Sequence, residues 1–107
     1  MNTRGVWAEL RAAAWLRRRG YRVLHVRWRG GGGEIDLVAR EGDTLVFVEV
    51  KSAPRLGDGA RRVGRQKQEL LRRAARAYLR QAEPGAAYRF DVLEDSDAGF
   101  RLIRGAF

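Results

Sequence analysis

The sequence feature that most constrains the fold is a pair of short apolar segments separated by a three-residue turn. Residues 34–40 and 44–51 are rich in Val, Ile, Leu and Phe, and Glu41-Gly42-Asp43 lies between them. This pattern predicts a β-hairpin. If only Gly42 and Asp43 form the loop, Glu41 pairs with Thr44 and Asp36 lies opposite Glu49. The hairpin then has one apolar face, which we expect to pack against a helix. The residues of that face are Ile35, Leu37, Ala39, Val46, Val48 and Val50.

The rest of the chain predicts two helices and three further strands. Apolar residues at helical spacing predict the helices, and alternating or apolar runs predict the strands. The order α-β-β-β-α-β-β predicts an α/β fold, with a mixed central sheet of four to five strands and helices on both faces. Because the chain has 107 residues and no linker, we expect a single domain, residues 1–107. The predicted helices are residues 4–19 and 65–82, and the strands outside the hairpin are residues 21–29, 88–94 and 100–104.

The net charge of +9 is distributed unevenly along the chain. Residues 1–33 carry +7 and residues 61–83 carry +6, whereas residues 34–60 between them carry −3. The basic excess indicates a polyanionic partner, of which nucleic acid is the commonest. A protein that only coats nucleic acid has little reason to keep the acidic segment. A nuclease needs both parts, because cations bind the phosphates and carboxylates hold a metal.

Several classes of protein are excluded by what the sequence lacks. The absence of cysteine excludes disulfide frameworks, zinc fingers, thiol nucleophiles and iron–sulfur clusters. No apolar run approaches the roughly 18 residues of a membrane span. The N-terminal residues lack the apolar block of a signal peptide. We therefore expect a cytoplasmic protein with no membrane partner.

The end of the hairpin far from its turn is charged. In the predicted register Glu34, Asp36, Glu49 and Lys51 project from one face, with Asp36 directly opposite Glu49. Opposed like charges repel at the about 4.5–5.5 Å between paired Cβ atoms. Lys51 offsets one charge, and a bound Mg²⁺ or Mn²⁺ would offset two more through oxygen ligands. Any one of these groups alone is more simply a solvated strand-end charge, but the four together favour a metal site. The argument depends on register, because a one-residue slip separates Asp36 from Glu49.

Lysine usage gives a second indication. The chain has 20 arginines but only two lysines, Lys51 and Lys67. An ammonium is a compact point charge that can lie against a water or phosphoryl oxygen, so a lysine at position 51 suggests a chemical role. Lys67 lies on the sheet-facing stripe at the start of the second predicted helix. It either reaches the active site or extends past the core into solvent. Gln66 is a weaker candidate, by adjacency only.

These motifs resemble those of known nucleases. Gly-Glu-Ile-Asp-Leu at 33–37 and Phe-Val-Glu-Val-Lys at 47–51 resemble the Asp…Glu-x-Lys signature of the PD-(D/E)xK superfamily, which has the restriction-endonuclease-like fold. Ile35 stands where the superfamily name has Pro, which is not a ligand. Over nearly its full length the chain also resembles the YraN family of small bacterial proteins, which is similar to archaeal-type Holliday junction resolvases. The other features shared with that family are Glu9, Lys67, Arg89-Phe-Asp-Val92 and Ala106-Phe107.

The resemblance implies a role for each matching residue. Asp36 and Glu49 would ligate a divalent metal together with the Val50 carbonyl. Lys51 would position or deprotonate the attacking water. Glu9, on the first helix, would join the metal shell directly or through water. The equally weighted alternative for Glu9 is a border carboxylate paired with an arginine or lysine.

The implied function is a Mg²⁺- or Mn²⁺-dependent endodeoxyribonuclease, resolvase-like and acting on branched DNA. A homodimer is expected by analogy, because a four-way junction needs two symmetric cuts. The alternative is a non-catalytic nucleic-acid-binding module with a vestigial nuclease site, which would keep the +9 charge but need no metal.

Arginines near the predicted site are the expected phosphate contacts. A Gly-rich loop over residues 52–64 leaves directly from Lys51 and is long enough to suggest a function. Trp7, Trp15 and Trp28 are predicted to pack in the core, and the alternative for Trp28, which lies beside the four glycines, is to stack on a base at an unpaired junction. The predicted DNA-binding residues are Arg55, Arg61, Arg62, Arg65, Arg27 and Arg29.

Overall fold

The computed structural model describes residues 3–52 and 63–107. Over these residues the chain forms two helices and a five-stranded sheet in the order α-β-β-β-α-β-β, which confirms the predicted fold class. The strands lie side by side in chain order, with β3 and β4 parallel and all other neighbours antiparallel. The elements are α1 Thr3–Arg18, β1 Arg22–Gly30, β2 Gly33–Glu41, β3 Thr44–Ser52, α2 Arg65–Ala82, β4 Tyr88–Ser96 and β5 Gly99–Ile103.

One helix covers each face of the sheet. On the α1 face, Ala12, Ala13 and Leu16 pack with the hairpin residues Leu37, Ala39, Val46 and Val48, so most of the predicted apolar face does lie against a helix. On the α2 face, Leu71, Ala74 and Tyr78 pack with Val38, Leu45 and Phe47. The two helices therefore approach the hairpin from opposite sides, and each can supply a side chain to its far end.

The end of α1 shows why the chain turns into β1 where it does. Gly20 has a φ of +88°, in the left-handed region that glycine enters without steric cost. The Tyr21 N–H donates to the Leu16 carbonyl at 3.1 Å and the Gly20 N–H to the Arg17 carbonyl at 3.1 Å. This pair of bonds is a Schellman motif, which satisfies carbonyls that the helix leaves open.

The predicted hairpin register is right near the turn and wrong at the far end. The observed pairs run from Glu41 with Thr44 to Leu37 with Val48, as predicted. Beyond that point β2 pairs only with β1, and Ile35 packs on the α2 face, not beside Leu37. The predicted pairs Ile35–Val50, Asp36–Glu49 and Glu34–Lys51 are not part of the ladder. The alternation of faces breaks in both strands at this point, because Val26 and Leu37 pack on the α1 face whereas Trp28 and Ile35 pack on the α2 face. Arg27, in the middle of this break, has a φ of +56°.

Two apolar side chains lie elsewhere than predicted. Trp7, expected in the core, is 64% exposed on α1. Leu70, expected on the buried stripe of α2, is 41% exposed. The prediction for Trp28 is confirmed, because its ring packs edge-to-face against Tyr78 with 5.2 Å between centroids. Within the described part of the chain, neither α1 nor α2 is long and apolar enough to cross a membrane.

The glycines between β1 and β2 allow the chain to approach α2 closely. A Cβ on Gly31 would lie 2.6 Å from the Arg73 carbonyl oxygen, and one on Gly33 would lie 2.5 Å from that of Leu70. Both distances are shorter than the contacts that Cβ atoms make in proteins. The glycine run therefore sets the distance between the turn and the backbone of α2.

Neighbouring glycines of this turn provide a matched stability test. Gly31→Ala should lower the free energy of unfolding by about 3 kcal/mol, since it adds an overlap to a left-handed conformation. Gly32→Ala should lower it by only about 1 kcal/mol, because Gly32 has a φ of +84° but no atom within 4 Å of its Cβ position. Urea denaturation of the two variants measures the difference. Equal losses would contradict the close approach to α2.

Candidate active site

Asp36 lies where β2 and β3 separate. Its Oδ2 atom accepts a hydrogen bond from the Val50 N–H at 2.9 Å, which fixes the carboxylate between the two strands. Burial raises the pKa of Asp36, whereas the Val50 hydrogen bond and the charge of Lys67 lower it. The carboxylate is thus half-buried and anchored to the neighbouring backbone.

Glu49 is the most buried acid of the predicted motif, with only 4% of its side chain exposed. Its Oε1 atom lies 3.5 Å from Lys67 Nζ and 3.7 Å from Lys51 Nζ. The two lysines of the chain therefore meet at one carboxylate oxygen, although one comes from β3 and the other from α2. Of the two interpretations of Lys67, the structure supports the one in which it reaches the site.

The second oxygen of Glu49 has a different environment. Oε2 is buried and has no hydrogen-bond donor among the described residues, and the carboxyl group lies close enough to Asp36 to share a proton with it. Burial and the neighbouring Asp36 carboxylate raise the pKa of Glu49 to about 7, against the lowering effect of Lys67 and Lys51. A buried oxygen without a donor is unfavourable, and a proton or a cation would satisfy it.

A second group of carboxylates adjoins Asp36. Glu9 from α1 and Glu34 from β2 each place a carboxylate oxygen so that these atoms and one of Asp36 lie within 4.8 Å of one another. Burial raises the pKa of Glu9, and its hydrogen bond with Arg27 lowers it. Asp36 therefore stands between the lysine-bound Glu49 and the carboxylates of Glu9 and Glu34.

Arginines partly neutralise this second group. Arg27 Nε lies 2.5 Å from Glu9 Oε2, and Arg29 Nε lies 2.6 Å from Glu34 Oε2. Glu9 thus fits both interpretations of the sequence, since it pairs with an arginine and also adjoins the metal-ligand candidate Asp36. The predicted pairing of Glu34 with Lys51 is wrong, because the β2–β3 ladder ends at Leu37 and Val48, and the Glu34 side chain pairs with Arg29 of β1.

The remaining predicted residues are placed as follows. Gln66 and Arg65 are exposed at the start of α2, Arg29 is exposed on β1, and Arg27 is half-buried against Glu9. Val50 contributes its N–H to Asp36, while its carbonyl stays a predicted ligand. The other predicted phosphate contacts lie outside the described residues: Arg55, Arg61 and Arg62.

Sequence reasoning missed one acid beside the site. Glu94 on β4 is fully buried and pairs in register with Lys51 of β3. Paired residues of a sheet project from the same face, so Glu94 is a neighbour of the lysine. The signal was an acidic residue that directly follows the apolar run Val92-Leu93 in a predicted strand. Asp91, on the same strand, is held by the Arg89 side chain and by the Gly105 N–H at 2.9 Å.

Comparison with known sequences places the chain in a family. The model of the uncharacterised protein family UPF0102 matches residues 8–94, which include Glu9, the hairpin and α2. The chain belongs to this family. It is the YraN family that the sequence motifs indicated.

Relatives match over most of the chain. A UPF0102 protein of Ruegeria pomeroyi is 41% identical over 93 residues, covering 84% of this chain and 76% of the relative. One from Nitrobacter winogradskyi is 46% identical over 92 residues, covering 83% and 77%. A third, from Caldicellulosiruptor saccharolyticus, is 40% identical over 118 aligned positions and covers both chains fully.

Proposed function

We propose that this protein is a divalent-metal-dependent endodeoxyribonuclease that hydrolyses phosphodiester bonds in branched DNA and works in the cytoplasm. The observation that supports this most is the environment of Glu49. One oxygen of this buried carboxylate lies near both lysines, and the other has no hydrogen donor among the described residues. A purely structural ion pair needs neither the second lysine nor the unpartnered oxygen.

The residues present fit Mg²⁺ or Mn²⁺. These hard cations prefer oxygen ligands, and Asp36, Glu49, Glu9 and the Val50 carbonyl would supply them. Glu49 Oε2 is the specific sign of fit, because it is a buried acceptor that still needs a positive partner. When bound, such a cation polarises the scissile phosphate and lowers the pKa of a bound water.

The two lysines have distinct positions around this carboxylate. Both are partly exposed, so each can contact Glu49 with its ammonium and still face an incoming phosphate. Lys51 orients the attacking water and offsets the charge that accumulates on the phosphoryl oxygens. Lys67 adds a second positive charge from α2, and Val50 N–H holds Asp36 in place.

Positive charge around the site suits a DNA substrate. Exposed arginines continue from the site along α2, and Arg29 lies at the edge of the carboxylate group. Such contacts bind phosphates without regard to sequence. Two symmetric cuts in a four-way junction need two sites, so a homodimer is part of this proposal. The exposed arginines of α2 are Arg65, Arg73, Arg76 and Arg80.

A cleavage panel tests the function. Labelled four-way junction, flap, single-stranded and duplex DNA are incubated with the protein in Mg²⁺, Mn²⁺ or EDTA. We expect cutting that requires the metal. Lys51→Ala should reduce its rate by about 10²-fold or more, because Lys51 positions or deprotonates the attacking water. Tight DNA binding with no cutting of any substrate and no metal-induced thermal shift would instead indicate the non-catalytic binding module.

Metal binding should depend on pH near neutrality. Because the pKa of Glu49 is about 7, its carboxyl is largely protonated at pH 6 and must lose that proton to ligate a cation. The affinity for Mg²⁺ should therefore be about tenfold weaker at pH 6 than at pH 8. Calorimetric titration at both pH values, in buffers with different ionisation enthalpies, also counts the released proton. Equal affinities without proton release would exclude Glu49 as a ligand.

A further inference from the structure

A groove lies between the β1–β2 turn and α2. Its volume is about 450 Å³, within the range of sites that hold small organic ligands. The floor is mostly backbone, since three of its residues are glycines. The residues that line it are Arg29, Gly30, Gly32, Gly33, Glu34 and Leu70.

The shape of this groove follows from two features. Gly31 and Gly33 bring the turn against the backbone of α2, and the glycines of the turn place no side chain of their own beside Leu70. Leu70 forms an apolar wall with 41% of its surface exposed. An exposed leucine beside bare backbone presents a flat apolar surface of the kind that a nucleobase or a sugar can cover.

The groove is continuous with the candidate active site. Glu34 lines the groove and also belongs to the carboxylate group with Glu9 and Asp36. Arg29, which pairs with Glu34 through Nε, is 78% exposed at the rim. A ligand in the groove would therefore lie beside the Arg29–Glu34 ion pair, with the metal-ligand candidate Asp36 next to Glu34.

We propose that this groove binds the base and sugar of one unpaired nucleotide next to the scissile phosphate, with Arg29 on the adjoining phosphate. The proposal rests on the nuclease function proposed above and specifies its substrate class. A base inside a duplex is stacked and paired, so it can enter such a groove only after leaving the helix. Among branched substrates the protein therefore prefers those with an unpaired nucleotide at the cut, such as a flap.

Two matched leucines test the groove. Leu70 in the groove and Leu10 on α1 are similarly exposed. Leu70→Glu should weaken binding of a fluorescein-labelled single-stranded oligonucleotide about tenfold, measured by anisotropy in EDTA. Leu10→Glu introduces the same charge away from the groove and should change that Kd by less than about twofold. Leu70→Gln, which adds no charge, should weaken binding in the same direction.

The outcomes separate the groove from the nuclease function. Equal Kd values for single-stranded DNA with Leu70→Glu and Leu10→Glu would overturn the proposal that the groove binds a nucleotide, whatever the cleavage assay shows. Selective loss with Leu70→Glu supports it, and this result does not require cutting because EDTA is present. If Leu70→Glu weakened binding of blunt duplex DNA as much as binding of single-stranded DNA, the preference for an unpaired nucleotide would also be overturned. Melting temperatures near the wild-type value establish that the variants fold.

Discussion

Cleavage of branched DNA should fall by about 10³-fold or more when Asp36 is replaced by asparagine. The substitution keeps the shape of the side chain and an oxygen that can accept from the Val50 N–H. It removes the negative charge that a divalent cation requires at this position, and a loss of about 4 kcal/mol of transition-state stabilisation corresponds to that factor. Single-turnover cutting in Mg²⁺ of a labelled flap or four-way junction, whichever the wild-type protein cuts faster, measures the effect.

Asp43→Asn is the matched control for this prediction. Asp43 is an exposed aspartate in the turn of the same hairpin, at the end opposite to Asp36. Its replacement changes the net charge by the same amount and should leave the cleavage rate within about twofold of wild type. Similar losses with both variants, or full activity of Asp36→Asn, would contradict the role of Asp36 as a metal ligand.

Replacement of Glu49 by glutamine should stabilise the metal-free protein while it removes activity. The pKa of Glu49 is about 7 in the fold against an ordinary 4.5, so folding favours the protonated carboxyl. That stabilisation is complete below pH 4.5 and is lost as the pH rises through 7. At pH 8 the raised pKa lowers the free energy of unfolding of the wild type by about 3 kcal/mol. Glu49→Gln avoids this loss because an amide does not titrate.

Thermal unfolding in EDTA between pH 5 and pH 8 measures this effect. At pH 8 the Tm of Glu49→Gln should exceed that of wild type by roughly 10 °C, and the difference should shrink toward pH 5. Glu69→Gln, on the exposed side of α2, should show no such dependence. If Glu49→Gln were less stable than wild type at pH 8, the ion pairs with the two lysines would outweigh the burial of Glu49.

Local patterns in the sequence were enough to predict the element order and most of the hairpin. Alternation and the Gly42-Asp43 turn define the register from Glu41–Thr44 to Leu37–Val48. The far end could not be predicted, because the alternation of faces breaks in β1 and β2 together, at Arg27 and at Asp36 opposite it. That is an interaction between strands, and no pattern within the hairpin carries it.

The candidate site was predicted in part for the same reason. Asp36, Glu49 and Lys51 follow from one hairpin, whereas the place of Lys67 depends on how α2 packs over β3. Glu94 was missed because its place beside Lys51 depends on the register between β4 and β3. The contacts of the glycine run with α2 are also tertiary, so the groove beside Leu70 could not be predicted from composition.

The dependence of the cleavage rate on Mg²⁺ concentration tests the proposed function most directly. Metal-dependent hydrolysis at Asp36 and Glu49 predicts no cutting of a four-way junction or flap in EDTA. It also predicts a rate that saturates with a midpoint equal to the Kd for Mg²⁺ from calorimetry. Cutting that persists in EDTA, or binding of DNA and Mg²⁺ with no cutting of any substrate, would contradict it.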